Sequence, residues 1–208
     1  MTNPGSMVAY TKGALVSVDA GGAKQSIPFQ YNPDTVRRIL EPNTVGGQPG
    51  MRSQAVRFAG APSETIVLDC RFSAADGLGR SDATTARYGI APQLAALALL
   101  VYPATADVQR AQQQLDAGAL EIVPALARRL LFVWGAQRVV PCRLAGYTIT
   151  EELHDPGLSP VLATVSMTLH VLSYSDVDAT NPSYHEFITY QQGLERLGAM
   201  LSSGSGGA

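Results

Sequence analysis

Apolar and polar residues alternate with a period of two along several stretches of this chain, the mark of strands that bury one face. In Glu64–Ala74 the apolar side carries Ile66, Leu68, Cys70 and Phe72, opposite Val67, Asp69 and Arg71. Across Val161–Leu172 the apolar set is Val161, Ala163, Val165, Met167, Leu169 and Val171, and the other face holds Thr164, Ser166, Thr168 and His170. Arg138–Leu153 follows the same rule through Ala145, Tyr147 and Ile149. The turn-rich connector His154–Pro160 joins these last two into a long hairpin. Shorter strands are predicted at Ala14–Asp19, Ser26–Tyr31, Val36–Leu40 and Leu130–Trp134.

Helical spacing is rarer. Pro92–Val101 is rich in Leu and Ala, opens with a proline suited to a first turn and must stop before Pro103. A weaker helix is predicted over Ala106–Ala117. The last helix is well signalled, because Ser183 followed by Glu186 has the capping-box spacing and Phe187, Tyr190, Leu194 and Leu197 line one face. Pro42–Pro62 and Asp76–Thr85 show little periodicity and are read as loops, the first long enough to need a function or a partner. The expected organisation is an N-terminal arm over residues 1–11, a β domain over 12–175, a linker over 176–182, the C-terminal helix over 183–201 and a disordered tail over 202–208.

Composition narrows the functional classes. A chain of 208 residues with 46% hydrophobic residues can bury about 70% of its unfolded surface, so it needs neither disulfide nor metal to fold. A net charge of −2 with dispersed basic residues argues against a phosphate-binding surface, so no nucleic-acid partner is expected. The longest apolar run, Leu94–Tyr102, is far short of a membrane span, and Met1–Ser6 lacks a signal-peptide pattern. Cys70 and Cys142 are read as free buried thiols of a cytoplasmic protein.

Chemistry is hard to place on this sequence. His154, His170 and His185 have no metal-ligand spacing with one another or with the cysteines. No Gly-x-Ser-x-Gly turn stands between a strand and a helix; the Gly204–Ser205 stretch lacks both. Adjacent Glu151 and Glu152 point to opposite faces of a strand and cannot share a substrate as neighbours. Gly46–Gly47 and Gly77–Leu78–Gly79 lack the Lys-Ser/Thr of a phosphate loop. Trp134 ends an apolar run and reads as core. The expectation is a protein without catalytic residues, metal or cofactor.

Three segments carry a resemblance. Ile27-Pro28-Phe29-Gln30-Tyr31-Asn32-Pro33 resembles the "FQFNP" element of contractile injection system tube-like baseplate proteins. Leu131-Phe132-Val133-Trp134-Gly135 resembles their "PPLVLFVWG" strand. Ala163–Leu169 is similar to their "RATVSLTL" ending, with Leu162 where a basic residue is common. The resemblance spans Lys12 to Tyr174 and singles out Phe29, Tyr31, Asn32, Pro33, Phe132, Trp134 and Gly135 as motif positions. It implies an α+β, mainly β fold: an antiparallel β-sandwich or barrel like that of phage tail tubes, with a packed helix and here a further C-terminal helix. It also implies a structural role as a tube initiator in a phage tail-like particle, a homohexameric ring joining the spike protein to the inner-tube protein beside other baseplate subunits. The rival readings are the main inner-tube subunit, another tube adaptor, and a small-molecule-binding or hydrolytic β-barrel. Many members continue into a LysM domain, whereas this sequence has only a linker and a helix after Tyr174. The expected assembly surface is the long hairpin, with Val165, Met167 and Thr168, and the helix stripe Phe187, Tyr190, Leu194 and Leu197.

Overall fold

A computed structural model of the chain describes residues 11–19, 22–46, 55–118 and 127–204. Most of the expected N-terminal arm, the centre of Pro42–Pro62 with Met51, and residues 205–208 of the expected tail lie outside these. The elements are β1 (Ala14–Val18), β2 (Lys24–Pro28), β3 (Val36–Glu41), β4 (Thr44–Val45), β5 (Arg57–Phe58), β6 (Ser63–Ser73), α1 (Ala75–Gly79), α2 (Ala83–Tyr88), α3 (Ala91–Ala98), α4 (Thr105–Asp116), β7 (Arg129–Val133), β8 (Val139–His154), β9 (Pro160–Val171) and α5 (Pro182–Gly204).

The fold is α+β and mainly β. Seven strands form one antiparallel sheet in the order β2-β1-β7-β8-β9-β6-β3. Period-two patterning sets its register. Ile66 faces Leu169, Leu68 faces Met167, Cys70 faces Val165 and Phe72 faces Ala163; all eight are buried on one face. A one-residue slip would turn either set out to solvent. Leu94, Leu97 and Leu100 cover that face from the α3 segment.

The sheet is rolled. After β2 the Gln30 side chain reaches the end of β6, donating from Nε2 to the Ser73 carbonyl (2.7 Å) and accepting from the Ser73 N–H (2.7 Å). A side-chain amide thus satisfies the two backbone groups that a neighbouring strand would otherwise satisfy. Helix α5 reports the same curvature. Its Glu186 meets Arg129 of β7, and its Tyr190 meets Arg38 of β3. In a flat sheet those strands lie four spacings apart, about 19 Å. One helical turn separates the two helix residues by only about 6 Å. Roll and the reach of two arginines close the gap.

Four local expectations need correction. Asp76–Thr85 is not a loop, since it holds most of α1 and the start of α2, with Asp82 accepting from the Thr85 N–H (2.8 Å) and hydroxyl (2.6 Å) as a cap. Part of Pro42–Pro62 forms the β4–β5 ladder. Ala145 is exposed, because a register shift between Leu144 and Gly146 places Leu144, Tyr147 and Ile149 on the core side instead; a bulge re-aims a strand in this way. The cap of α5 is Asn181, whose Oδ1 accepts from the Ser183 N–H (2.9 Å). Ser183 is buried and Glu186 is spent on Arg129, so the capping box is not used. The helix begins at Pro182, and it runs to Gly204, through the first residues of the expected tail.

Candidate assembly surfaces

The two aromatic motifs converge although roughly a hundred residues separate them. Phe29 and Phe132 are fully buried, with ring centroids 6.4 Å apart, and Trp134 stacks on Phe132 at 5.9 Å. Gly13 lies beneath them, where a Cβ would sit 2.6 Å from the indole and 2.9 Å from the Phe29 ring. Asn32 holds this segment in place: its Oδ1 accepts from the Gly13 N–H (2.8 Å) and its Nδ2 donates to the Thr11 carbonyl (3.0 Å). The Tyr31 hydroxyl donates to Asp76 (3.3 Å), and the Gln30 and Tyr31 bonds hold the Asp76 carboxyl below its ordinary range. Pro33 carries the chain on toward β3, and Gly135 (φ +71°) opens the turn after β7. These motif residues all act within the chain, by packing, turning or closing the roll.

The titratable candidates do not converge. The exposed His154 ring pairs with Glu151 (Nε2–Oε2 3.0 Å). Glu152 instead accepts from the Thr164 hydroxyl (2.6 Å) and lies 3.6 Å from Arg71. His170 sits on the outer sheet face between Thr65 and Arg143, and His185 lies on α5 against Tyr184. Among the described residues no group of three His, Cys, Asp or Glu side chains is placed to hold a metal. Burial pushes the Cys70 and Cys142 thiols up to about 12, Asp69 adding to the shift at Cys70.

The expected assembly residues divide. Val165 and Met167 are fully buried in the chain's own core, so their side chains cannot meet a partner. Thr168 lies on the outer face between Val67 and Gly146. Strand β9 is paired on both sides, with β6 and β8, so a proline there breaks the domain rather than an interface. The hairpin keeps one open side among the described residues: β7 pairs only with Val139–Cys142 of β8, leaving the remainder of β8 without a neighbour on that edge. On α5, Phe187 and Tyr190 are buried while Leu194 and Leu197 are 41% and 44% exposed. The helix runs past the sheet that holds its first half, and from Leu194 to Leu201 every residue is exposed.

A further surface is the β4–β5 arm. Thr44 faces Phe58 and Val45 faces Arg57; Phe58 is 85% exposed, and Val45 and Val56 are also exposed. The arm continues the β3–β6 hairpin beyond Pro42 and Pro62, which interrupt the ladder because proline has no N–H to contribute. An aromatic at the end of a Gly/Pro-rich segment was the available sign of it in the sequence. A ladder of two residue pairs is at best marginal by itself, and here it carries an outward Phe beside two outward valines.

No helix among the described residues is long and apolar enough to cross a membrane. The chain matches no protein-family model, and no curated protein matches it significantly.

Proposed function

We propose that the chain is a structural, non-enzymatic subunit of a contractile injection system, a tube initiator that forms a hexameric ring between the spike and the inner tube. One observation carries most of this reading: the described residues of the β4–β5 arm present Phe58, Val45 and Val56 to solvent. A two-pair ladder with an outward aromatic gains stability by packing against a further surface, and a partner protein can supply one. The end of α5, with Leu194, Leu197 and Leu201 outward, offers a second contact of the same character.

The resemblance of the Phe29–Pro33 and Leu131–Gly135 segments to tube-like baseplate proteins supplies the class of assembly. A ring also gives a use to the open strand edges, β2, β3 and the unpaired side of β8, because closure removes edges that would otherwise promote aggregation. Those edges, rather than the interior of the β8–β9 hairpin, are where copies would extend one another's sheets. The test is a cryo-EM reconstruction of the assembled particle. Six copies between the spike hub and the first tube ring are expected. Finding the chain in the sheath, in the lumen as cargo or absent from the particle refutes the proposal.

A further inference from the structure

We infer that the β4–β5 arm and helix α5 share a single anchorage, so that a contact made by either one changes the stability of the other. The strands that flank the arm are β3 and β6, and each supplies one half of an ion pair: Arg38 Nε donates to Glu64 Oε1 at 2.6 Å. The third member comes from α5, where the Tyr190 hydroxyl accepts from Arg38 Nη2 at 2.6 Å. All three sit on the buried side, with Glu64 and Tyr190 almost completely enclosed.

A second tie lies at the root of the arm. The Ala61 N–H donates to Ser175 Oγ (3.1 Å), and the Ala59 N–H donates to the Asn43 carbonyl (2.9 Å). A Cβ on Gly60 would lie 2.9 Å from Ser175 Oγ and 3.2 Å from Asn43 Nδ2, so the two legs of the arm and the chain leading into α5 meet at one point. Ser175 is itself fixed. Its N–H donates to Ser173 Oγ (3.2 Å), and the Ser173 N–H and hydroxyl both donate to Asp176 Oδ2 (2.8 and 2.6 Å). This turn holds the root of the arm, and its Tyr174 ring meets Phe187 of α5 edge-on at 5.8 Å.

The described arm residues beyond this root are exposed on both strands, so the root sets where the arm points. If α5 shifts on its sheet, Arg38 and Ser175 shift with it, and the root loosens. Linkage requires the reverse as well: a partner that rigidifies the arm holds α5 down by the same factor. The coupling is a property of the fold and stands whatever the two surfaces bind.

The experiment is residue-resolved hydrogen exchange on the full chain, comparing wild type with Tyr190→Phe, Glu64→Gln and Gly60→Ala. Tyr190→Phe and Glu64→Gln are expected to speed exchange at Ala59 and Ala61 by about tenfold, the equivalent of one net charge-assisted hydrogen bond. Gly60→Ala is expected to speed exchange across the first half of α5. The β8–β9 ladder should stay unchanged in all three. Unmoved Ala59 and Ala61 amides in both Tyr190→Phe and Glu64→Gln overturn the inference, and so does equal acceleration across β8–β9, which would mark loss of the whole domain.

Discussion

Removing the Arg38 charge while leaving Glu64 in place isolates the energetics of the α5 anchorage. The Glu64 side chain is 6% exposed and that of Arg38 24%. Arg38→Met keeps most of the aliphatic stem but leaves a carboxylate enclosed without its cation. Breaking a buried pair from one side costs about 3–5 kcal/mol. The residual exposure of Arg38 lets some water reach the site, so roughly 2–4 kcal/mol is expected here. The Arg38→Met/Glu64→Leu double variant removes both charges and both desolvation costs. It should recover to within about 1–1.5 kcal/mol of wild type, the remainder being the hydrogen bond lost at Tyr190. Urea unfolding at neutral pH, followed by circular dichroism, reads both values, and an unchanged m-value confirms that compactness is preserved. A loss below about 1 kcal/mol in Arg38→Met would show the pair to be solvated. A double variant equal to the sum of the singles would show that the two charges do not interact. Either result refutes the reasoning.

The two buried thiols predict weakening at alkaline pH. An unfolded thiol ionises near 9 whereas Cys70 and Cys142 are held to about 12; between those values the folded state binds more protons, so stability falls as pH rises, by at most ~1.4 kcal/mol per pH unit per thiol. Urea midpoints measured from pH 8 upward should decline less steeply in Cys70→Ala/Cys142→Ala, and identical slopes would count against the assignment. Gly13→Ala drives a methyl into Trp134 and Phe29 and should cost about 1–3 kcal/mol as overpacking, read by the same unfolding assay. Phe58→Ser should leave monomer stability within about 0.5 kcal/mol, as exposed substitutions do, while reducing incorporation into particles; normal incorporation would argue against the arm as a contact.

The long strands were legible because their burial is one-sided. β6 and β9 bury alternate residues along nearly their whole length, and a strand with one face on a core is the structure that demands such alternation. What escaped reading depended on tertiary context. α1 and α2 have 5 and 6 residues, too few for a helical period to show, and their stability comes from Asp82 and from packing. The bulge at Ala145 depends on which neighbours β8 finds, so simple alternation put the wrong residue inward. At α5 two capping signals competed two residues apart, and Asn181 followed by Pro182 prevailed because proline suits the first helical position. The stripe from Phe187 to Leu197 was correct as a pattern, but only its first half has sheet beneath it.

The closure by Gln30 had no sequence signal, since its partner Ser73 lies 43 positions away, yet it explains what the motif segment is for. Phe29 fills the aromatic cluster, Gln30 joins the rolled sheet to β6, Tyr31 ties to α1 through Asp76, and Asn32 binds the strand start at Gly13. Each of these side chains has a partner inside the chain, although Tyr31 and Asn32 are also exposed. In this structure the motif residues serve mainly to hold the domain together. Among the described residues, the arm and the outer half of α5 expose apolar side chains on elements with little core beneath them, as α4 does through Val108 and Leu115. They fall outside the aromatic motifs, and a chain could vary them without disturbing the roll. On the proposed reading, substitutions confined to Phe58, Leu194 and Leu197 are expected to weaken assembly while leaving the domain folded, since all three side chains are exposed.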